Sequence, residues 1–131
     1  MRKVAIYLRV STDQQDAEVQ LPALTGYAAE HGLEVVATFQ DVISGAASRL
    51  PQREACIKAA LAEKFGSILL FSSSRFGRSA AHSLPALWEL LEHGVNLVVV
   101  REEIDTASKS GKREFERQCL SSQYWREDHI D

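Results

Sequence analysis

Apolar residues fall into four runs of strand length, KVAIYLRV (3–10), LEVVATFQD (33–41), SILLFS (67–72) and VNLVVVRE (95–102). They are rich in the β-branched Val and Ile that suit a pleated surface. The segments between them carry helical spacing instead. EVQLPALTGYAAEHG puts Leu21, Leu24 and Ala28 on one face and ends at Gly32. Proline fits a helix in its first turn, so Pro22 predicts a start near Val19 or Gln20. PQREACIKAALAEKFG opens with Pro51 at a favoured first position and is predicted to run to near Gly66. In HSLPALWELLEHG, Ser83 is the expected cap, Leu84, Leu87, Leu90 and Leu91 face inward, and Gly94 closes the helix. Strands alternating with helices predict an α/β fold: three layers, with a mainly parallel sheet of four to five strands, right-handed crossovers and flanking helices.

The 131 residues suffice for one domain with a real core, and no repeat or low-complexity linker divides them. Apolar residues make up 45% and charged residues 25%, a globular balance. With 15 basic against 18 acidic residues the net charge is −3, so any affinity for phosphate must come from a local cluster rather than from a basic surface. Cys56 and Cys119 form no CxxC pair, and His31, His82, His93 and His129 lack ligand spacing, so neither a metal nor a structural disulfide is expected. The opening MRKVAIYLRV is too short and too broken by Arg9 for a signal peptide or a membrane span, which predicts a cytoplasmic protein.

In parallel sheets the ligand site lies beyond the carboxyl ends of the strands, and there the unusual polar residues collect. Arg9, Ser11, Thr12, Asp13, Gln14 and Gln15 follow the first run, SGAASRLPQR with Arg49 and Arg53 the second, and SSSRFGRS with Arg75 and Arg78 the third. Each has an ordinary explanation alone: Ser11 or Thr12 as a helix cap, Arg75 and Arg78 as surface charges, Gly45 and Gly77 as turn residues with positive φ. Together they suit phosphoryl transfer. Arginine stays charged and forks onto phosphate oxygens, and a serine hydroxyl in that field becomes a nucleophile.

YLRVSTDQQ, DVISGAASR and SRFGRS, in that order and spacing, resemble the catalytic domain of the serine recombinases, the resolvase and DNA invertase family, over roughly residues 3 to 106. The resemblance implies a resolvase-like fold and site-specific DNA recombination. In that family the motif serine attacks the phosphodiester, leaving a 5′-phosphoserine link and a free 3′-hydroxyl. That role maps onto Ser11. Arg9, Gln15, Arg49, Arg75 and Arg78 map onto residues that bind and activate the scissile phosphate with no cofactor. The absence of a nucleotide site agrees, since Gly111-Lys112 lacks the rest of the P-loop pattern. SRLPQR carries an extra residue relative to the usual spacing, which leaves Arg53 as an alternative to Arg49. The implied partner is DNA, bound by a dimer or tetramer of the full-length protein, with neither a membrane nor a small-molecule substrate involved.

Two departures stand out. Where the family usually reads Asp-Arg, this chain reads Ser74-Arg75, removing a carboxylate, and serine cannot act as a base near neutral pH. After a catalytic domain of residues 1–111, residues 112–131 hold neither Gly nor Pro and allow a helix of about 20 residues, roughly 30 Å. Its apolar stripe (Phe115, Cys119, Leu120, Tyr124, Trp125, Ile130) is broken, and no DNA-reading helix-turn-helix follows, so the chain is expected to be truncated relative to the family. The alternative function is a catalytically impaired remnant acting as an interaction or dimerisation module. A response-regulator-like signalling domain shares the sheet but needs an acidic pocket, whereas these strand ends are basic.

Overall fold

The computed structural model describes residues 1–43 and 49–121. In chain order the elements are β1 (Arg2–Ser11), α1 (Gln14–Glu30), β2 (Leu33–Ile43), α2 (Pro51–Leu61), β3 (Ser67–Leu70), a 3₁₀ turn (Ser73–Arg75), α3 (Ala80–Glu92), β4 (Asn96–Val99), β5 (Ile104–Asp105) and α4 (Lys109–Cys119). The sheet runs β2-β1-β3-β4-β5. Its first four strands are mutually parallel, and β5 is antiparallel to β4. The three-layer α/β architecture predicted from the sequence is thus present, with a two-residue fifth strand at one edge.

Successive side chains of a strand point to opposite faces, and β1 divides its residues accordingly. Val4, Ile6, Leu8 and Val10 pack with Leu69, Val98 and the Leu24 and Ala28 positions of α1. Ala5 and Tyr7 face the other way, into a larger cluster with Ile57 and Ala60 of α2, Leu84, Leu87 and Leu90 of α3, and Phe115 and Cys119 of α4. The central strands β1, β3 and β4 are covered on both faces, which is why they read as nearly continuous apolar runs.

The helix ends differ from the sequence expectation. α1 begins at Gln14 rather than near Val19, and Pro22 lies inside it. The Asp13 carboxylate caps it by accepting the Gln15 N–H at 3.0 Å. Pro22 leaves the Glu18 carbonyl without its helical donor, and both residues lie on the exposed side of the helix. The buried face is Gln20, Leu24 and Ala28, an i, i+4 row; Leu21 is exposed. α3 is capped by Ser79, whose hydroxyl accepts the His82 N–H at 3.1 Å, while Ser83, the expected cap, is buried within the helix. α2 stops at Leu61, short of Gly66, because Glu63 takes a left-handed conformation (φ 63°); Gly66 instead donates its N–H to the Lys3 carbonyl at the foot of β1.

α4 starts at Lys109, before the expected Lys112, with the Ser108 hydroxyl accepting the Gly111 N–H at 2.9 Å. A Cβ at Gly111 would stand 1.9 Å from the Asp105 carbonyl oxygen, so only glycine lets this helix seat against β5. Tyr124, Trp125, His129, Ile130 and Gly45 lie outside the described residues. Among the described residues no helix is long and apolar enough to cross a membrane.

Candidate active site

The carboxyl ends of β1 and β3 lie side by side because those strands are neighbours in the sheet. An open depression of about 440 Å³ forms there, lined by Ser11, Asp13, Gln15, Asp16, Val19 and Arg75. Ser11 is the last residue of β1 and half-buried. Its hydroxyl accepts the Asp13 N–H at 3.2 Å, but the helix cap is Asp13 itself, so the Ser11 side chain stays at the rim of the depression. Gln15 is exposed in the first turn of α1. Arg75 ends the 3₁₀ turn after β3 and reaches back to the Arg9 carbonyl at 3.3 Å.

The other predicted residues stand apart from this lining. Arg9 is buried behind it, and its guanidinium donates to the carbonyl of Ser74, tying the tip of β1 to the turn after β3. Arg78 is half-buried, and its Nη1 is buried with no hydrogen-bond partner among the described residues. Its backbone N–H donates to His82 Nδ1 at 3.2 Å. Arg49 is exposed at the start of the α2 segment, next to residues 44–48, which are not described. Gly77 has no positive φ; it is needed for close approach, since a Cβ there would stand 2.2 Å from Ser83 Oγ.

Arg53, the alternative to Arg49, is buried and turned inward. It donates to the carbonyls of Phe76 and, at 2.7 Å, His82, and its guanidinium lies 4.6 Å from the Phe76 ring centroid. Its backbone N–H and that of Gln52 donate to the Asp41 carboxylate at 2.8 and 3.0 Å. Tyr7 donates its hydroxyl to the same carboxylate at 2.8 Å, and burial together with that bond pushes the phenol well above its ordinary pKa. Burial likewise raises the Cys56 thiol to about 12, which leaves it unreactive. His82 is held below its ordinary pKa, first by burial and then by the Arg53 charge.

Two residues that touch this candidate site escaped the sequence reading. Asp16 accepts the Ser11 backbone N–H at 2.9 Å, accepts Gln20 Nε2 at 3.0 Å and lies 3.4 Å from Arg75 Nη1. Gln20, buried, also donates to the Arg9 carbonyl at 3.2 Å. The signal for Gln20 was an amide spaced four residues from Leu24 on the face that packs inward. For Asp16 it was only an acid in a first helical turn, which ordinarily reads as a partner of the helix dipole.

A family model described as "Resolvase, N terminal domain" matches residues 4–127. The chain belongs to this family of resolvase N-terminal domains. It is 35% identical over 107 residues to the transposon Tn917 resolvase of Enterococcus faecalis, and 30% identical over 106 residues to the serine recombinase gin of Escherichia phage Mu. Each match covers 81% of this chain but 53% and 51% of those relatives, so the resolvase domain spans about half the length of the curated relatives it matches. Among solved structures, the N-terminal catalytic domain of TP901-1 integrase superposes with a TM-score of 0.77 at 29% identity, covering 96% of this chain and 98% of that one. A resolvase family site-specific recombinase from Streptococcus pneumoniae follows at 0.74 and 28%, covering 98% and 96%.

Proposed function

We propose that this resolvase domain cleaves and rejoins DNA strands by serine recombinase chemistry, with Ser11 as the nucleophile. The observation that carries this reading is the meeting of Ser11 and Arg75, from two different strand ends, on one open depression at the carboxyl edge of a parallel sheet. Ser11 Oγ attacks phosphorus, the bond from phosphorus to O3′ breaks, and the hydroxyl proton passes in net to O3′. The product is a 5′-phosphoserine with a free 3′-hydroxyl, and reversal on a new 3′ end rejoins the strand. The phosphate gains negative charge at the transition state, so fixed guanidinium groups favour that state over the bound diester.

In this reading Arg75 and Arg78 hold the phosphate. Arg78 lies just past the same turn as Arg75, half-buried outside the depression's lining, and supports this role by its charge. Gln15 and Arg49 stand on exposed positions where DNA can reach them, and Arg9 adds charge from beneath while bracing the site. Each chain supplies one Ser11, so cutting both strands of a duplex takes two copies, and exchanging two duplexes takes four. Such a protein works on DNA in the cytoplasm, without metal or nucleotide.

The second reading, a non-cleaving interaction module, draws on Ser74: its hydroxyl is bonded to that of Ser72 at 3.0 Å, where the family usually has a carboxylate. One experiment separates the two. The chain is fused to a sequence-reading DNA-binding module and incubated with a duplex carrying that module's sites around a central spacer. Denaturing gels should show a covalent protein–DNA adduct that disappears in Ser11→Ala. An adduct that survives Ser11→Ala sinks the assignment, and the absence of any adduct favours the second reading.

A further inference from the structure

The depression around Ser11 is a poor phosphate site as it stands. Asp13 and Asp16 line it together with Arg75, and the Asp16 carboxylate lies 3.4 Å from Arg75 Nη1, each side chain about a fifth exposed. An anion arriving there meets a guanidinium that already has a counter-charge. Asp16 is also anchored on two other sides, by the Ser11 N–H at 2.9 Å and by Gln20 Nε2 at 3.0 Å. Its position therefore does not depend on Arg75. Arg75 is the movable partner: besides Asp16 its guanidinium reaches the Arg9 carbonyl at 3.3 Å, from a long side chain with many rotamers.

We infer that Asp16 is an electrostatic latch, a positioning residue that occupies Arg75 while the site is empty and is displaced from it when phosphate enters. The inference rests on the reading of Arg75 as a phosphate ligand. Asp16 grips the Ser11 backbone and the Arg75 guanidinium with the same oxygen, Oδ2. The attacking residue and the charge that would stabilise its transition state are thus linked through one atom. Phosphate binding breaks one half of that link and leaves Ser11 held by the other. The latch also places a carboxylate near the tip of β3, where residue 74 is a serine.

The test is a titration of the full chain with inorganic phosphate, followed by the Arg75 Nε–Hε and Asp16 carboxyl resonances. In the unmodified chain both should shift along one binding curve as Arg75 changes partners; an Asp16 carboxyl that stays still while Arg75 responds overturns the latch. Asp16→Asn removes the competing charge and should tighten phosphate binding by about two- to tenfold, the range expected from releasing a partly exposed ion pair and a like charge. Asp16→Glu, which keeps the charge, should bind close to the unmodified affinity. A merely structural Asp16 predicts weaker binding in Asp16→Asn, and that result, or no change, rejects the proposal. Arg75→Gln separates the two claims. Loss of the phosphate response supports Arg75 as the ligand, whereas an unaltered response defeats that reading and the latch with it.

Discussion

Two corners at the same edge of the sheet each hold an aspartate and an arginine, and they differ in what those side chains meet. At the corner of β2 and α2, Asp41 and Arg53 are 5% and 2% exposed. Asp41 is committed to the backbone of α2 and to Tyr7, and Arg53 to the carbonyls of Phe76 and His82. Where the β1–α1 corner meets the turn after β3, Asp16 and Arg75 face an open depression. Identical side-chain chemistry therefore makes a strut in one place and an exchangeable pair in the other. Burial is the cause: a charge removed from water must have its hydrogen bonds supplied by the protein, and once supplied they are expensive to break.

The sharpest way to break the contrast is Arg53→Met, which keeps much of the side-chain length over Phe76 but strands the Phe76 and His82 carbonyls. A loss of about 3 kcal/mol or more is expected, since hydrogen bonds from charged donors to buried acceptors contribute roughly 1.5–3 kcal/mol each. Urea unfolding measures it, and a loss below about 1 kcal/mol would show that Arg53 is no strut. Asp41→Ala comes next, at about 2 kcal/mol, from the lost cap of α2 and the stranded Tyr7 hydroxyl. A drop confined to a few tenths of a kcal/mol would mean that water replaces the carboxylate.

His82 extends the buried corner towards the surface and predicts a pH dependence. Its folded pKa lies below the ordinary 6.5, so the unfolded chain takes up a proton more readily than the folded one. The stability it contributes is complete above pH 6.5 and is lost as pH falls through the lower folded value. Unfolding midpoints at pH 7.5 and 5 should therefore fall further apart in the unmodified chain than in His82→Gln. Equal separations would remove His82 from the account. The smallest stability effect belongs to the open corner: Arg75→Gln should stay within about 0.5 kcal/mol, as partly exposed ion pairs do, while the DNA adduct of the fused chain falls to background. A stability loss like that of Arg53→Met would erase the difference between the two corners.

Much of this molecule is written in short-range pattern. The alternation of Val4, Ile6, Leu8 and Val10 with Ala5 and Tyr7 assigns β1 its two faces because side chains in a strand repeat every second residue. The same reading places Ser11 at the tip of that strand and Arg75 just past the third, and both line the depression found there. Helix ends were less legible, because a cap depends on which oxygen meets an N–H. Ser79 and Ser83 are chemically equal candidates, and only the packing of α3, which buries Ser83, separates them. Pro22 was misplaced for a related reason: it lies on the exposed side of α1, and exposure belongs to the assembled fold.

The pairings across the site were decided entirely by tertiary structure. Asp16 meets Arg75 because β1 and β3 are neighbours in the sheet order, which brings α1's first turn against the turn after β3. Arg53 became a buried strut and Arg75 half of an open ion pair through their depth in the fold, although both follow strands in similar polar company. Periodicity and propensity act within a few residues and are carried by the sequence itself. Depth, and the choice of partner for a charge, arise only when distant segments share a surface, and here they separate the residues that hold the fold from those left available for chemistry.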